Sequence, residues 1–470
     1  MISVFSVSFP EQASLYGFIS VVFFAVGTTS LFLAVIAMGL IDSGLVRRKS
    51  VLDTWVQKLM CAMLAGFAML IGGYALWQWQ FNSALGVPNP LRQAMSDWWI
   101  GGENFRHIAT ELNPTLVPGA DTLQSYGAFF LTWAALVGAL LHSVGIERAK
   151  ALPMFVLSIV AGGVVMPVIA YLTWGSAGPL SNAGTHDYVG IFAMYLLVGS
   201  WALVLAWRIG PRLGAMSFHP RTAGPAPQNL GTSAAGAGLL MVALPMPILS
   251  CGYFVPDVGY FGISLTSSGM GLVLTNLFVA YSAGAISGGV IAYVTRKPVL
   301  AIFGPIAGYV ACAAGLDVFT PVETFLVALG GPVATYIGIR TMGRLGIDDT
   351  KIVPLTLFGG TYGAIVTGFV AWGTKTGGYF DGTGKYAFQH AEITPWWQIA
   401  GWAVTVAIAL LSGLVVVLLL EKTVGLRVTE EQEIAGLDVS YWDSPPSEDD
   451  VDLVGAAAGP APAVGSVRVN

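Results

Sequence analysis

Histidine is the side chain whose ordinary pKa lies nearest neutrality, and this chain places none of its five in the middle of an apolar run. They are His107, His142, His186, His219 and His390, each expected in a loop or near a helix end. An imidazole at such a place can bind or switch, but it cannot relay a proton through the centre of an apolar barrier. Cys61, Cys251 and Cys312 fall in apolar stretches, at spacings that suit neither a disulfide nor a metal site. They read as small packing residues. There is no nucleophile–base cluster, GxSxG turn, P-loop or metal-ligand spacing, so neither an enzyme nor a resident cofactor is expected. The basic residues are scattered over several segments and leave no nucleic-acid footprint.

The elements that must position these residues follow from composition. Apolar residues make up 55% of the 470-residue chain and charged residues 10%. Mean hydropathy is +0.72. A soluble chain of this length carries roughly a quarter charged residues. Uncharged runs cover 12–41, 59–91, 122–146, 188–207, 258–295, 352–374 and 393–420. Each can cross the hydrocarbon core as a helix, which takes about 20 residues and satisfies its own backbone hydrogen bonds. Eleven spans are predicted, at 14–41, 59–80, 124–143, 152–174, 188–207, 230–254, 264–294, 299–316, 321–340, 353–373 and 396–420. The expected fold class is an all-α integral membrane protein embedded in a lipid bilayer.

Orientation follows from the basic residues. Of 21 Lys and Arg residues, only Arg92, Arg106, Lys375 and Lys385 fall on the side of the even-numbered loops. The rest cluster opposite, which predicts an external N-terminus and a cytoplasmic tail. Met1–Pro10 lacks a basic n-region, so no cleaved signal peptide is expected. The chain divides into a membrane domain (1–425), a mixed polar cytosolic segment (426–442) and a tail (443–470). That tail is acidic, then rich in Ala, Gly and Pro, and is expected to be disordered. Gly284/Gly288 and Gly359/Gly363 are small-xxx-small pairs that let helices approach closely.

Several segments, in order, resemble the Amt/Mep/Rh ammonium transporter family. Residues 44–52, GLVRRKSVL, are close to the family's GLVRRKNVL. Residues 145–148 (GIER), 187–190 (DYVG), 210–214 (GPRLG), 227–230 (PQNL) and 344–349 (RLGIDD) resemble its A-E-R turn, D-F-A-G, G-P-R-x-G, P-H-N-L and the loop before its tenth span. Residues 425–438, GLRVTEEQEIAGLD, are nearly its C-terminal signature. The resemblance covers about residues 15–440. It implies an inverted 5+5 helix repeat plus a final helix, a homotrimer in the plasma membrane with a pore in each protomer, and a possible PII-type regulator at the tail.

The family's pore has an outer aromatic cage, a double phenylalanine gate and a midplane histidine pair. Aromatic faces compensate the dehydration of an ammonium ion, and the imidazoles carry its proton. By this resemblance Trp133, fourteen residues before Glu147, takes the place of the first gate phenylalanine. Trp174 matches the mouth tryptophan and Asp187 the buried aspartate. Each also has an ordinary reading, as an interfacial tryptophan or a helix N-cap. Deeper in, the pattern breaks. Tyr195, eight positions after Asp187, and Leu357 stand where the two histidines belong. Ile352 replaces a nearby aspartate. Residues 244–251, LPMPILSC, replace W-F-G-F-N-A-G-S, so Pro247 stands for the second gate ring and Cys251 for the recruitment serine. Thr356, Thr361, Tyr362 and Ser250 are further polar candidates. Each of these can serve a solute or simply bond a helix carbonyl.

The expectation is therefore a family channel or transporter that passes ammonia, ammonium or another small neutral solute without the histidine relay. The alternatives are a transporter with a rebuilt mechanism, and a non-transporting sensor or scaffold.

Overall fold

The computed structural model describes residues 11–106, 120–255 and 258–442. His107 and the acidic, Ala/Gly/Pro-rich tail at 443–470 lie outside the described residues. Among the described residues, ten helices are long and apolar enough to cross a membrane. In chain order they are α1 (Ile19–Leu45), α2 (Arg48–Ala84), α3 (Thr122–Gly145), α4 (Ala151–Thr173), α5 (Ile191–Ile209), α6 (Leu230–Leu249), α7 (Met270–Thr295), α8 (Pro321–Arg344), α9 (Val353–Val370) and α10 (Pro395–Thr423). This is a multi-pass membrane protein, mostly helical.

Burial ranks the helices. The apolar windows of α3 and α5 are 89% and 83% buried, so these two form the centre of the bundle. They carry Trp133 and Tyr195. The window of α10 has the highest hydropathy, 2.9, and is only 28% buried, as a helix facing lipid should be.

Local sequence explains the helix ends. Thr320 and Glu323 form a reciprocal capping box at the start of α8. Asn229 caps α6 through the Thr232 amide, and Thr394 caps α10 through the Trp397 amide. The predicted span at 299–316 is two short helices, Val299–Ile302 and Gly304–Cys312, interrupted at Phe303. Pro305 has no amide to donate back to Ala301, so the hydrogen-bond ladder cannot run through this turn. Gly284 and Gly288 of α7 lie backbone to backbone against Gly304 and Gly308 of this broken segment. A methyl group at Gly284 would stand 2.3 Å from the Gly304 carbonyl oxygen. Of the second pair, Gly363 packs tightly on Ala311, while Gly359 has ordinary space around it.

The span predicted at 230–254 ends earlier, at Leu249, after an interruption at Leu244–Pro245. Pro245 and Pro247 lack amide donors, so the helix cannot run on regularly. The aromatic and β-branched residues that follow form a strand instead. β1 (Gly252–Val255) pairs antiparallel with β2 (Gly259–Gly262), and β2 with β3 (Ser267–Ser268). The all-α expectation thus acquires a small sheet on the side of the α6–α7 connection, and a second pairs Lys375–Thr376 with Ala391–Glu392. The long connection after α2 holds short helices at Pro90–Trp98 and Glu103–Arg106.

The segment after α10 is built onto the membrane domain. Val428 donates to the Arg148 carbonyl at 3.0 Å, and Lys150 to the Leu426 carbonyl at 2.9 Å. Two short helices follow, α11 (Glu430–Ala435) and α12 (Leu437–Trp442).

Candidate functional site

Aromatic rings are stacked in depth along the first half of α3. Trp133 and Trp174 meet edge to face with centroids 5.7 Å apart, and both are fully buried. Phe129 packs on Trp133 at 5.9 Å and Phe130 on Trp174 at 5.2 Å. Trp174 lies just past the end of α4, and its carbonyl receives the Trp77 indole N–H at 2.6 Å. Its own indole N–H goes to the Tyr188 carbonyl at 3.2 Å. The indole nitrogen of Trp133 is buried and has no hydrogen-bond partner among the described residues. Indole is a donor only, so this N–H is open to an acceptor and to nothing else.

Asp187 is placed by the turn into α5. Gly190 takes a φ of +73°, a left-handed conformation that folds the chain back over the carboxylate. Asp187 then accepts from the amides of Ile191 at 2.7 Å and Phe192 at 2.9 Å. It therefore caps α5, in the turn that Trp174 joins through the Tyr188 carbonyl. Burial pushes its pKa up to about 7, against the pull of those amides.

Tyr195 lies in a stretch of α5 with wide, i→i+5 helical turns, Ile191–Leu196. A second wide stretch, Val353–Phe358, opens α9, and the two pack against each other. Such turns commonly occur at functional sites because they displace side chains from the regular helical face. The Tyr195 hydroxyl donates to the Tyr309 hydroxyl at 2.8 Å. Both tyrosines line a cavity of about 40 Å³ with Leu240, Ile352, Leu355 and Thr356. That is room for a molecule the size of water or ammonia. Leu357 does not line this cavity; it backs onto Gly199 of α5.

The remaining predicted residues sit at the end of α6. Pro247 is buried, and its carbonyl receives the Cys251 thiol at 3.2 Å. Ser250 is tied to the Phe23 and Met246 carbonyls. Neither Pro247 nor Cys251 lines the cavity beside Tyr195. Trp133, Trp174 and Asp187 thus gather about the turn into α5, and Tyr195 lies further along that helix.

A larger cavity of about 340 Å³ lies among the loops after α1, α3, α5 and α8. Phe303 and Lys351 line both this vestibule and the smaller cavity. An ion-pair belt surrounds the vestibule. Glu147 accepts from Arg47 Nε at 2.6 Å and Arg212 Nη1 at 2.9 Å. Asp348 accepts from Arg212 Nε at 2.8 Å. Burial acts to raise the pKa of Asp348, but the bonds and charge of Arg212 prevail and hold it down to about 2. Glu147 is likewise held below the usual carboxylate range by Arg47 and Arg212 against its burial. Glu433 of α11 completes the belt through Arg427 at 2.7 Å and the Leu213 amide at 2.7 Å.

Two buried polar clusters escape sequence reasoning. In the first, Lys58 of α2 pairs with Asp42 of α1 at 2.7 Å, and Lys351 contacts the other oxygen of Asp42. Ser143 of α3 also donates to Asp42, at 2.6 Å. Burial pushes the Lys351 ammonium down to about 7, while contact with Asp42 favours its charged form. The available signal was Asp42 and Lys58 bounding two apolar runs; trimming each run at its first charge hid them. In the second cluster, His186 is fully buried and meets Asp317 at 2.9 Å, and Asp317 also receives the Thr266 hydroxyl. Gln398 holds both the amide and the carbonyl of His186. His142 is buried too, three residues from the end of α3.

The profile of the Ammonium Transporter Family matches residues 22–445. The chain is 29% identical over 406 residues to the ammonium transporter Amt1 of Methanocaldococcus jannaschii, covering 82% of this chain and 93% of that one. It is 24% identical over 410 residues to the ammonium transporter of Bacillus subtilis, covering 86% and 92%. Among solved structures, a sensor Amt protein superposes with a TM-score of 0.70 at 18% identity, covering 91% of this chain and 99% of that one. Mep2 of Candida albicans superposes at 0.68 and 19%, covering 92% and 90%. The structural likenesses speak to the fold, and the family match to the class: the chain belongs to the ammonium transporter family.

Proposed function

We propose that the protein is a pore for neutral ammonia, or another small uncharged solute, that works without a histidine relay. One observation carries this reading. Where α5 and α9 meet in their wide turns, the solute-sized cavity is bordered by the hydroxyls of Tyr195 and Tyr309, by Thr356 and by apolar side chains, with Lys351 and Phe303 on the side shared with the vestibule and no imidazole among the described residues of its lining. Tyrosine ordinarily titrates near ~10, so neither hydroxyl takes a proton from ammonium at neutral pH. A bare cation there loses its hydration without compensation, whereas ammonia does not.

Trp133 supports the same selectivity. Its unpaired indole N–H suits the lone pair of ammonia, and ammonium has no lone pair to offer. Trp174 and the neighbouring rings give the mouth its aromatic lining, and Asp187 holds the turn behind it. Pro247, Cys251 and Leu357 act in packing α6 and α9 rather than on the solute. In liposomes, an ammonia gradient should alkalinise the interior faster with protein than without. Equal rates would sink the reading.

The finer architecture belongs to this proposal. It comprises eleven spans, counting the broken segment Val299–Cys312, in an inverted 5+5 repeat plus a final helix. The assembly is a homotrimer in the plasma membrane, with the N-terminus outside and the tail in the cytoplasm. The membrane domain ends near residue 425, and the docked segment 426–442 offers a PII-type regulator its contact surface. Supporting this are the basic residues concentrated around the vestibule and the ion-pair belt that binds the tail to the loops.

A further inference from the structure

A solute leaving the small cavity beside Tyr195 for the vestibule passes the two side chains that border both spaces, Phe303 and Lys351. Phe303 is fixed by the helix break before Gly304–Pro305. Lys351 is fixed by Asp42, whose second oxygen is held by Lys58 at 2.7 Å and Ser143 at 2.6 Å. Lys58 spends its other donors on the Ala139 carbonyl at 2.8 Å and Ser143 at 3.0 Å, and its side chain is wholly enclosed. One carboxylate therefore faces two ammonium groups. The Lys351 side chain alone of these three keeps some exposure, 11%.

The other charged groups nearby hold partners of their own. Asp349 accepts from the amides of Lys351, Ile352 and Val353 at the start of α9. Asp348 is held by Arg212, and Arg148 approaches it at 3.6 Å. With both lysines protonated, the cluster of Asp42, Lys58 and Lys351 carries one excess positive charge beside the constriction.

We propose that Lys351 is the charge filter at the inner end of the pore, admitting neutral solutes and repelling cations, with Phe303 as the steric half of the same constriction. This rests on the neutral-solute reading and names the group that enforces it. A fixed like charge a few ångströms away, partly shielded by protein and water, slows a monovalent cation by roughly a hundredfold. Ammonia feels no such barrier.

The test compares native protein with K351Q and K351R in liposomes, reading internal alkalinisation and cation current on the same preparations. K351Q leaves Asp42 and Lys58 as a balanced pair, so ammonium and potassium currents should appear about tenfold or more above native. K351R should exclude cations again. A K351Q pore that alkalinises yet stays as silent in current as native overturns the filter and leaves the neutral-solute reading intact. A saturable ammonium current from native protein overturns that reading and the filter with it. Should K351Q fail to assemble, F303A decides: widening the constriction with Lys351 in place should raise ammonia flux without current, and a cation current through F303A would refute the filter.

Discussion

Trp133 and Trp174 pack edge to face 5.7 Å apart, yet only Trp174 has given away its indole N–H, to the Tyr188 carbonyl. The Trp133 donor is buried and unmatched. A buried donor left unpaired costs about 1–3 kcal/mol. W133F keeps the ring face and deletes the donor. It should leave thermal stability unchanged or slightly raised, and lower ammonia flux about fivefold, as expected for losing one hydrogen bond of about 1 kcal/mol to the solute. Stopped-flow alkalinisation with a melting curve on the same sample checks both. Unchanged flux would reduce Trp133 to a packing residue.

Asp187 holds the start of α5 through two amide bonds, from Ile191 at 2.7 Å and Phe192 at 2.9 Å. D187A should cost about 1 kcal/mol or more from the cap alone and loosen the loop behind Trp174. A lower melting temperature, or loss of the oligomer on size exclusion, is the expected result, with D187N intermediate. An unaltered melt and oligomer would make the carboxylate dispensable to the fold.

Asp438 of α12 reaches across to cap α2, accepting from the amides of Asp53 at 2.8 Å and Leu52 at 3.0 Å. Ser50, which precedes the regular α-helical stretch of α2 from Val51, makes no side-chain capping bond to it. D438A should therefore release α12 from the membrane domain, at about 1 kcal/mol. Proteolysis of inside-out vesicles should then cut at 437–442 several times faster than in native protein. Equal rates would show that the docking rests on other contacts.

Acid should dissolve the belt. Asp348 is held at about 2 in the folded protein, below the ordinary value of 3.8, and Glu147 is also depressed. A depressed carboxylate contributes stability that is complete above its unfolded pKa and is lost as pH falls through the folded one. Melting temperature in detergent should thus fall as pH drops from about 4 towards 2, and R212Q should flatten that decline. A native profile flat across that range would contradict the assignment.

Much of the frame was legible in the sequence, because a helix in lipid needs a long uncharged run and such runs are hard to mistake. The cap at Asp187 was legible too, since an aspartate just before an apolar run is an ordinary helix-capping signal. What stayed hidden depended on distance in sequence. Lys58 read as a loop lysine because its partner, Asp42, lies on another helix. His186 looked like a loop residue, as it is, but nothing local revealed Asp317 beside it. The β1–β3 sheet was masked by an apolar stretch that suits helix and strand equally until Pro245 and Pro247 are weighed. Leu357 was placed by the family pattern read on from Asp348 and Asp349; in the wide turn at Val353–Phe358 it is Leu355 and Thr356 that share the cavity with Tyr195.

The central claim is that the pore passes a neutral solute with no proton relay. The direct measurement is charge movement by the native protein on a solid-supported membrane after an ammonium jump, beside alkalinisation of liposomes from the same preparation. The account predicts rapid alkalinisation and no current above protein-free membranes. A robust, saturable ammonium current that D187A abolishes would contradict it.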